Sequence, residues 1–479
     1  MKTILWWVRR DLQLIDNETL FRAVQHADLV TPTFILDPNL IGSSYVGEKR
    51  LGFLYAGLQQ LNADLQELGS QLILRKGHPL EVFEKLRSQT NFDVIYAKED
   101  FSPFAQKRDS EVRDRFPIEF FRSPTFRHPL TVRKENGKPY TVYTPYSRAW
   151  KALPLPSEED LLPKPQRIHT PQDLETLPIP PIPASLEKSC FVPGESEAQR
   201  RLKAFIEGDP PAIYGYRTRR DRMDLDGTSQ LSPYLRYGML SAKQAIVAAA
   251  EAMSKANRNE DHQAANTWLN ELIWREFYLS ILFNFPHVRK MSFRETLSKI
   301  QWEKNPTNFK AWCSGETGYP IVDAAMRQLA ETGWMYNRAR MIVASFLVKD
   351  LLIDWRWGER WFMQHLIDGN PAANNGGWQW SAGTGTDAAP YFRVFNPILQ
   401  GQKFDSQGEY VVRWMPELSS VPIKYLLTPW EMPLDLQKSK AVVIGRDYPK
   451  PIVDHSFARE RVLERFRLAK EKAEKEKGE

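Results

Sequence analysis

The run 368–387 is rich in glycine, alanine and asparagine, and it carries the aromatic residues Trp378 and Trp380 close together. Small side chains between paired aromatic rings allow a backbone to approach a flat ligand closely. The chemistry that this run offers is therefore the binding of a planar molecule. An ordinary loop of the same composition remains the alternative at this point.

Two other stretches place polar and aromatic groups at helical spacing. Glu271 and Arg275 are four residues apart, and Trp274 is three residues from Glu271, so these side chains share one helix face. Asn337 and Met341 share a helix face in the same way. For the first stretch the alternative is a surface ion pair, which contributes little to stability. The spacing marks two candidate binding faces without identifying their ligand.

The amino-terminal part of the chain alternates short apolar runs with helical patterns. The predicted strands are 2–8, 29–36, 71–75, 93–97 and 118–121. The predicted helices between them are 17–26, 49–68, 79–88 and 104–115. This alternation predicts an α/β domain with a parallel, Rossmann-like sheet. The first turn, 8–12, contains no glycine, so the GxGxxG fingerprint is absent and a dehydrogenase is disfavoured. Ligands of such sheets bind at the carboxyl ends of the strands, which here carry Arg9–Asp11, Asp37 and Glu99–Phe104.

Proline marks the boundary between the two halves of the chain. Ten prolines fall within residues 154–193, and each lacks an amide donor and restricts the residue before it. The stretch is therefore predicted to be a linker rather than a helix or a central strand. We predict an α/β domain at 1–130, a proline-rich linker at 131–197 and a large all-α domain at 198–479.

The second half has almost no strand pattern. Its helical patterns lie at 198–207, 241–256, 262–283, 320–331, 334–353 and 358–367. The end of the chain, 461–479, mixes seven basic and five acidic residues with few apolar ones, and we predict a solvated helix there.

Composition excludes several classes of protein. Two cysteines, Cys190 and Cys313, are too few for a disulfide scaffold or a cysteine-rich zinc site. The apolar start is too short for a signal peptide, and no uninterrupted apolar run of about 18 residues follows, so we expect an intracellular protein without membrane spans. The net charge of +6 permits a polyanionic partner without requiring one. Ten of the fifteen tryptophans lie between Trp268 and Trp380, which indicates a packed helical core, an aromatic pocket or an electron path.

Several separated motifs resemble the photolyase/cryptochrome family, and in particular the bacterial class I photolyases that act on cyclobutane pyrimidine dimers. The resemblance covers nearly the whole chain and includes Trp7–Leu12, Gly227–Pro233 and the run Asn374–Asn396. It implies an α/β antenna domain at the amino terminus, followed by a helical domain that holds FAD in a folded conformation.

The resemblance also assigns the FAD-binding residues. Those that match the family's clamp on the phosphates and the ribityl chain are Tyr216, Thr228, Ser229, Gln230, Leu231 and Ser232. Those that match the segment at the flavin ring and the arginine paired with its aspartate are Asp368, Gly369, Asn370 and Arg340. Asn374 falls where photolyases place an asparagine beside flavin N5, whereas plant-type cryptochromes carry an aspartate there, so Asn374 favours repair.

Five residues match the family's pocket for the pyrimidine dimer: Glu271, Trp274, Asn337, Met341 and Trp380. In such a pocket aromatic walls stack on flipped-out bases, while an acid and an amide hydrogen-bond to the carbonyl edges of the bases. The related enzymes for six-four photoproducts use a histidine pair, and the matching stretch 337–341 contains no histidine. The resemblance therefore implies a catalytic pocket for cyclobutane dimers.

Arginines and tryptophans complete the implied machinery. Arg220, Arg275 and Arg338 match positions that approach the DNA backbone, beside Glu271, Trp274 and Asn337 of the pocket. Trp378, Trp355 and Trp302 match the tryptophan triad that relays an electron from the surface to photoexcited oxidised FAD. Spacing alone does not show this role, since each of the three would otherwise be assigned to the core.

A second chromophore is implied for the α/β domain. Relatives use a deazaflavin, a folate or a second flavin, and the loop 98–109 resembles the deazaflavin type more than the folate type. Ser102 stands where the deazaflavin binders of the family carry an acid, and this departure leaves all three chromophores open.

The resemblance implies a light-driven DNA repair enzyme, a deoxyribodipyrimidine photo-lyase, in which photoexcited reduced FAD donates an electron to a flipped-out cyclobutane dimer and splits it. Its expected partner is UV-damaged DNA, and we expect a cytoplasmic, nucleoid-associated monomer without a metal. Two alternatives remain: a cryptochrome photoreceptor without repair activity, and a nucleotide- or nucleic-acid-binding protein without photochemistry.

Overall fold

A computed structural model describes residues 1–121, 124–390 and 393–478. Tyr391 and Phe392, which belong to the motif 374–396, lie outside the described residues. The chain forms two compact units. The sheet unit comprises Met1–Arg217, Thr228–Pro286 and Ile367–Ala372, and the helical unit comprises Thr218–Gly227, His287–Leu366 and Ala373–Glu479.

The sheet unit contains a five-stranded sheet in the order β3-β2-β1-β4-β5, with every pair of neighbours parallel. The strands are β1 (Thr3–Val8), β2 (Leu29–Leu36), β3 (Ile73–Lys76), β4 (Val94–Lys98) and β5 (Ile118–Phe121). All six residues of β1 are buried, as expected for the central strand of a parallel sheet that is covered on both faces. The predicted α/β domain and its strands are confirmed.

Helices make up most of the remainder. In chain order they are α1 (Glu18–His26), α2 (Pro38–Ile41), α3 (Glu48–Glu67), α4 (Pro79–Thr90), α5 (Pro103–Arg113), α6 (Tyr143–Lys151), α7 (Glu195–Ile206), α8 (Tyr216–Arg219), α9 (Ser232–Tyr237), α10 (Ala242–Ser254), α11 (Asn259–Asn284), α12 (Pro306–Ser314), α13 (Pro320–Thr332), α14 (Asn337–Ser345), α15 (Trp355–His365), α16 (Pro371–Ala382), α17 (Pro397–Phe404), α18 (Glu409–Trp414), α19 (Ile423–Leu426), α20 (Leu434–Ser439) and α21 (His455–Gly478). The predominantly helical carboxyl-terminal half is confirmed.

The core beneath the sheet shows why the amino-terminal apolar runs form strands. Trp7 and Ile95 point to one face of the sheet, where Phe83 of α4 meets the indole of Trp7 edge-on at 5.0 Å between ring centroids. The proline-rich stretch runs along β3, where the main chain of Leu177 donates to Leu74 and Thr176 Oγ1 accepts from the N–H of Leu74. These bonds occupy polar groups of an edge strand that would otherwise face solvent.

Three predicted elements differ from the structure. The pattern 334–353 is not one α-helix, because Gly333 ends α13 at a φ of +73°, α14 begins only at Asn337, and a π-helical turn follows at Phe346–Asp350. The carboxyl-terminal helix is not fully solvated, because Val462 and Phe466 are buried in a cluster of the helical unit. Within the predicted linker 131–197 the chain also forms α6. The two compact units divide the chain differently from the predicted domains, which remain an interpretation of the sequence.

Candidate functional site

The helix α11 positions the first candidate face in the sheet unit. Glu271 and Trp274 are half-buried on it, as the spacing predicts. Arg275 is turned inward: its Nη1 donates to the Pro124 carbonyl at 2.6 Å and its Nη2 to the Leu235 carbonyl at 3.1 Å. Burial lowers the pKa of Arg275 to about 10. These two hydrogen bonds hold its guanidinium inside the unit, and its predicted contact with DNA stays a prediction.

The opposite side of α11 is fixed by a buried acid. Glu276 accepts hydrogen bonds from the indole N–H of Trp150 at 2.7 Å and from the main-chain N–H groups of Phe126 and Arg127. Burial raises the pKa of Glu276, and the three donors and Arg275 oppose that rise. The carboxyl group therefore joins α6 and the chain before it to α11, and so orients the face that carries Glu271 and Trp274.

The predicted phosphate clamp forms a short turn before α9 in the sheet unit. Gln230 has a φ of +51° and its Oε1 accepts from Arg201 Nη1 at 2.8 Å, while Ser229 Oγ accepts from the Trp268 indole at 3.2 Å. The buried hydroxyl of Thr228 finds no hydrogen-bond partner among the described residues. Tyr216 is buried against neighbouring aromatic residues. A buried hydroxyl that still needs a partner fits a ligand with acceptor oxygens, such as a phosphate.

The segment 367–372 belongs to the same unit and brings in the second set of predicted flavin residues. The Gly369 carbonyl accepts from Arg50 Nη1 at 3.1 Å and from Arg236 Nε at 2.8 Å. Asn370 caps the start of α16 by accepting from the N–H of Ala372 at 2.9 Å, and Asp368 is buried. Burial and, to a smaller extent, repulsion from other arginines lower the pKa of Arg236 to about 9. Two guanidinium groups thus hold the turn that presents Asp368.

The helical unit contains the remaining predicted cofactor residues. Asn374 Nδ2 donates to the Glu359 carbonyl at 2.9 Å, so the amide oxygen is the group that remains to accept a hydrogen bond from a ligand. Arg340 Nε donates to the Met335 carbonyl at 2.9 Å. The predicted pairing of Arg340 with Asp368 joins residues of different units and stays a prediction.

The second candidate face lies on α14 of the helical unit. Asn337 is exposed, and its Nδ2 approaches Met341 Sδ at 3.7 Å, which confirms that the two side chains share a face. Arg338 Nε and Nη2 donate to Asp221 at 3.2 and 2.9 Å. Residues 220 and 380, the other predicted DNA and pocket positions of this unit, are half-exposed.

The predicted tryptophan triad lies entirely in the helical unit. Trp355 and Trp378 are 1% and 2% exposed, and their indole N–H groups have no acceptor among the described residues. Trp302 is half-buried and packs edge-on against Phe466, at 6.5 Å between ring centroids. A Cβ on Gly358 would lie 2.1 Å from Trp378 Cη2, so only glycine permits the contact between α15 and this indole. Two members of the predicted triad are therefore buried and one is half-buried, and their role in electron transfer stays a prediction.

Several residues of these sites escape sequence reasoning. Arg50 and Arg236 support Gly369, and Tyr143 stacks on Trp274 at 3.6 Å between ring centroids. For Arg50 a signal was present, because it stands among the apolar positions of the helical pattern 49–68 and is buried. For Tyr143 nothing in the local sequence indicates the partner.

At the carboxyl ends of the strands, the sheet unit contains buried polar groups that suit a second ligand. Arg9 Nη1 donates to Asp109 at 2.8 Å, whereas its Nε and Nη2 find no partner among the described residues. Asp100 forms an ion pair with Arg10 at 3.2 Å; although burial opposes ionisation, Arg10 and a main-chain N–H hold the pKa of Asp100 below its usual value. Ser102 caps α5 through its hydroxyl.

A model of the FAD binding domain of DNA photolyase matches residues 268–468, and a model named DNA photolyase matches residues 4–166. The chain is 37% identical to the deoxyribodipyrimidine photo-lyase of Agrobacterium fabrum, covering 98% of both chains, and 38% identical to that of Escherichia coli, covering 98% of this chain and 99% of the other. The chain belongs to the DNA photolyase family.

Solved structures agree with this membership. A bacterial class III photolyase from Agrobacterium tumefaciens superposes with a TM-score of 0.91, 36% identity and 98% coverage of both chains. A cryptochrome from Synechocystis superposes with a TM-score of 0.88 and 29% identity, covering 97% of this chain and 99% of the other. The predicted family is confirmed, and the finer assignment to class I stays a prediction.

Two findings concern other classes of site. In the described ranges no group of three or more histidine, cysteine, aspartate or glutamate side chains is arranged to hold a metal ion. Of the helices in the described part of the chain, none combines the length and the apolar character that crossing a membrane requires.

Proposed function

We propose that this chain is a light-driven DNA repair enzyme that splits cyclobutane pyrimidine dimers. The observation that carries the proposal is the half-buried face of α11, on which Glu271 and Trp274 stand together in a chain of the DNA photolyase family. Bound reduced FAD would supply the light-driven electron transfer, while the protein supplies binding and orientation. Each residue of the face then has a role that follows from its chemistry.

Glu271 and Asn337 present hydrogen-bonding groups that suit the carbonyl edges of two pyrimidines. The indoles of Trp274 and Trp380 offer flat apolar surfaces on which flipped-out bases stack, which compensates part of the cost of unstacking them from the duplex. Met341 adds an apolar, adaptable contact beside Asn337. Groups of this kind select a lesion by shape and hydrogen bonding rather than by the surrounding sequence.

The residues described fit FAD. The buried Thr228 hydroxyl can donate to a phosphate oxygen, and the neighbouring Ser229 to Ser232 offer further hydroxyl and main-chain groups. Asn374, with its Nδ2 bound to the Glu359 carbonyl, offers its amide oxygen as an acceptor. An uncharged acceptor holds a ring N–H without adding a negative charge beside it. The buried Asp368 sits on a turn that Arg50 and Arg236 hold by its backbone.

Affinity for the phosphate backbone would come from arginines. Arg338 donates to Asp221, which orients the guanidinium, although the carboxylate also offsets part of its positive potential. Arg220 is half-exposed. Phosphate contacts of this kind carry no sequence information and weaken with added salt. We propose that the chain acts as a monomer and that it binds damaged chromosomal DNA.

A second chromophore would bind at the carboxyl ends of β1, β2 and β4. The buried Nε and Nη2 of Arg9 and the buried Oδ2 of Asp37 have no hydrogen-bond partner among the described residues, which supports a polar ligand there. We favour a deazaflavin, because of the loop 98–109, over a folate or a second flavin. A related structure from Sulfolobus tokodaii was solved with two FAD molecules. Mass spectrometry of chromophores released from protein made in its native host identifies the ligand, and an empty cleft contradicts this part of the proposal.

Illumination of the reduced protein with defined oligonucleotides tests the main function. One oligonucleotide carries a cyclobutane thymine dimer and the other a six-four photoproduct, and chromatography measures restored thymines. We expect repair of the dimer alone. Repair of neither lesion by protein with a full complement of FAD would favour a cryptochrome, and repair of the six-four product alone would show that the pocket is assigned wrongly.

A further inference from the structure

Tyr143 covers one face of Trp274. The two rings are stacked with centroids 3.6 Å apart and planes inclined by only 5°, which is face-to-face contact over the full area of the phenol ring. Phe277 meets both rings edge-on, at 5.9 Å from Tyr143 and 5.6 Å from Trp274. A base needs a separation of roughly twice this distance between two rings to lie between them. The face of Trp274 that Tyr143 covers is therefore closed to any base.

The hydroxyl of Tyr143 ties the same ring to the helix that carries Trp274. It donates to the Asn270 carbonyl at 2.9 Å, one turn before Trp274 on α11. Tyr143 thus contacts α11 in three ways, through a directed hydrogen bond, through stacking on Trp274 and through the edge-on contact with Phe277. The hydrogen bond fixes the lateral position of the phenol, so that the stack cannot slide along the helix.

The element that carries Tyr143 is itself fastened to α11 at its other end. Lys151 Nζ donates to Asn266 Oδ1 at 2.7 Å, and the Trp150 indole donates to the buried Glu276. With Tyr143 at the first residue of α6 and these bonds at the last two, the short helix cannot move away from α11 without breaking several contacts. Fixed side chains supported in this manner preorganise a binding site.

We propose that Tyr143 is a positioning residue of the lesion pocket, which locks the Trp274 indole in one orientation and closes one of its two faces, so that at most the other face can stack on a pyrimidine of the dimer. The inference rests on the proposed function, because it takes Trp274 as a wall of that pocket. The inference goes beyond the proposed function in two respects. At most one face of the Trp274 indole takes part in recognition of the lesion, and this recognition depends on a residue that does not touch the lesion.

Three substitutions separate the ring from the hydroxyl. Y143A removes both, Y143L keeps volume without a flat ring, and Y143F keeps the stack while losing the hydrogen bond to Asn270. The matched control is Y140A, because Tyr140 lies three residues earlier and packs on Tyr146 rather than on Trp274. The measurement is the dissociation constant, in the dark, for an oligonucleotide with one cyclobutane thymine dimer and for the same oligonucleotide undamaged, with FAD content recorded for each protein.

We expect Y143A and Y143L to lose about 3- to 10-fold in affinity for the dimer while the affinity for undamaged DNA stays unchanged, the range being that of an aromatic pair. Y143F and Y140A should stay within about twofold of wild type. A double-mutant cycle with W274A adds a readout that a general loss of structure would not give: Y143A should have no further effect once Trp274 is absent.

Two results would overturn the inference alone. The first is that Y143A or Y143L still prefers dimer-containing DNA over undamaged DNA as strongly as wild type does, although W274A loses this preference. The second is that the effects of Y143A and W274A on the affinity for the dimer add up in the double mutant. Should Y143A fail to fold, Y143L decides by the same criteria. If instead wild type does not prefer the dimer, or if W274A binds it as tightly as wild type, the pocket of the proposed function is wrong and the inference falls with it.

Discussion

Gly358 is a position at which the predicted electron path through Trp378 can be disturbed without altering a tryptophan. A methyl group in G358A would lie 2.1, 2.5 and 2.6 Å from Cη2, Cζ3 and Cζ2 of Trp378. Ordinary van der Waals contact requires about 3.5 Å, so the indole or the helix α15 must move by roughly 1.4 Å. Trp378 is buried and packs on Phe362 at 4.9 Å and on Trp312 at 6.0 Å between ring centroids, so such a shift disturbs these contacts as well.

The magnitude follows from two opposing terms. Overpacking of a close-packed core costs about 1–3 kcal/mol. Replacing glycine by alanine inside a helix contributes about 0.5–1 kcal/mol in the other direction. Gly377 supplies the matched control, because it lies in the helix α16 beside Trp378 and a Cβ there meets no described atom within 4 Å other than those of its chain neighbours and its own helix backbone. The difference in stability between G358A and G377A therefore isolates the overpacking cost of about 1–3 kcal/mol.

Thermal unfolding and photoreduction measure the two consequences. G358A should unfold at a temperature about 1–3 °C below that of G377A, because the entropy of unfolding of a chain of this length is about 1 kcal/mol per kelvin. Under blue light with an external electron donor, bleaching of oxidised flavin should be slower per bound flavin in G358A than in wild type, since Trp378 is displaced. Repair by chemically pre-reduced G358A should be retained. Equal unfolding temperatures for the two variants, with bleaching at the wild-type rate in G358A, would refute the reasoning.

Three further predictions concern single side chains. W378F should block photoreduction yet leave repair by pre-reduced enzyme largely intact, and W302F should act likewise; rapid bleaching of oxidised flavin in W378F would contradict its role. E271A should keep normal FAD content but lose about 1–3 kcal/mol of interaction with the dimer, seen as weaker binding and a several-fold lower repair yield per photon; unchanged values would remove Glu271 from the pocket. Burial raises the pKa of Glu195 from 4.5 to about 7, so the folded chain holds its proton to higher pH than the unfolded chain. Stability should therefore fall as pH rises from about 4.5 to 7, by up to about 3 kcal/mol, and chemical denaturation of E195Q should show a flatter profile.

The sequence predicts well whatever depends on local spacing. The strands of the parallel sheet are continuous apolar runs because both faces are buried, and the faces of α11 and α14 follow from separations of three and four residues. The carboxyl-terminal helix shows the limit of composition: Val462, Phe466 and Ala469 form a buried stripe that its many charges conceal. The stripe extends in both directions along the helix, because Ala458 and Ala473 are buried as well.

Contacts between distant parts of the chain were not predictable in this way. The Gly369 carbonyl and Arg50 are separated by 319 residues, and Tyr143 and Asn270 by 127. No periodicity connects such pairs, because their proximity results from the topology of the unit. The predicted roles of residues in FAD and DNA binding came from resemblance to a family, and the structure adds the local partners that hold each residue in place.

The division of the sheet unit into three chain segments has a consequence for its biosynthesis. A ribosome that has reached Pro286 has made all of the unit except Ile367–Ala372, and with it the carbonyl that Arg50 and Arg236 share. At 5–20 residues per second, roughly 4–17 s of further translation pass before that segment exists. During this interval the guanidinium groups of Arg50 and Arg236 lack the Gly369 carbonyl to which both donate in the finished unit, so the nascent unit should remain more open to proteolysis than the finished one. The test compares two nascent chains on stalled ribosomes, one exposed as far as residue 286 and one exposed as far as residue 372. The shorter chain should be digested faster by an added protease.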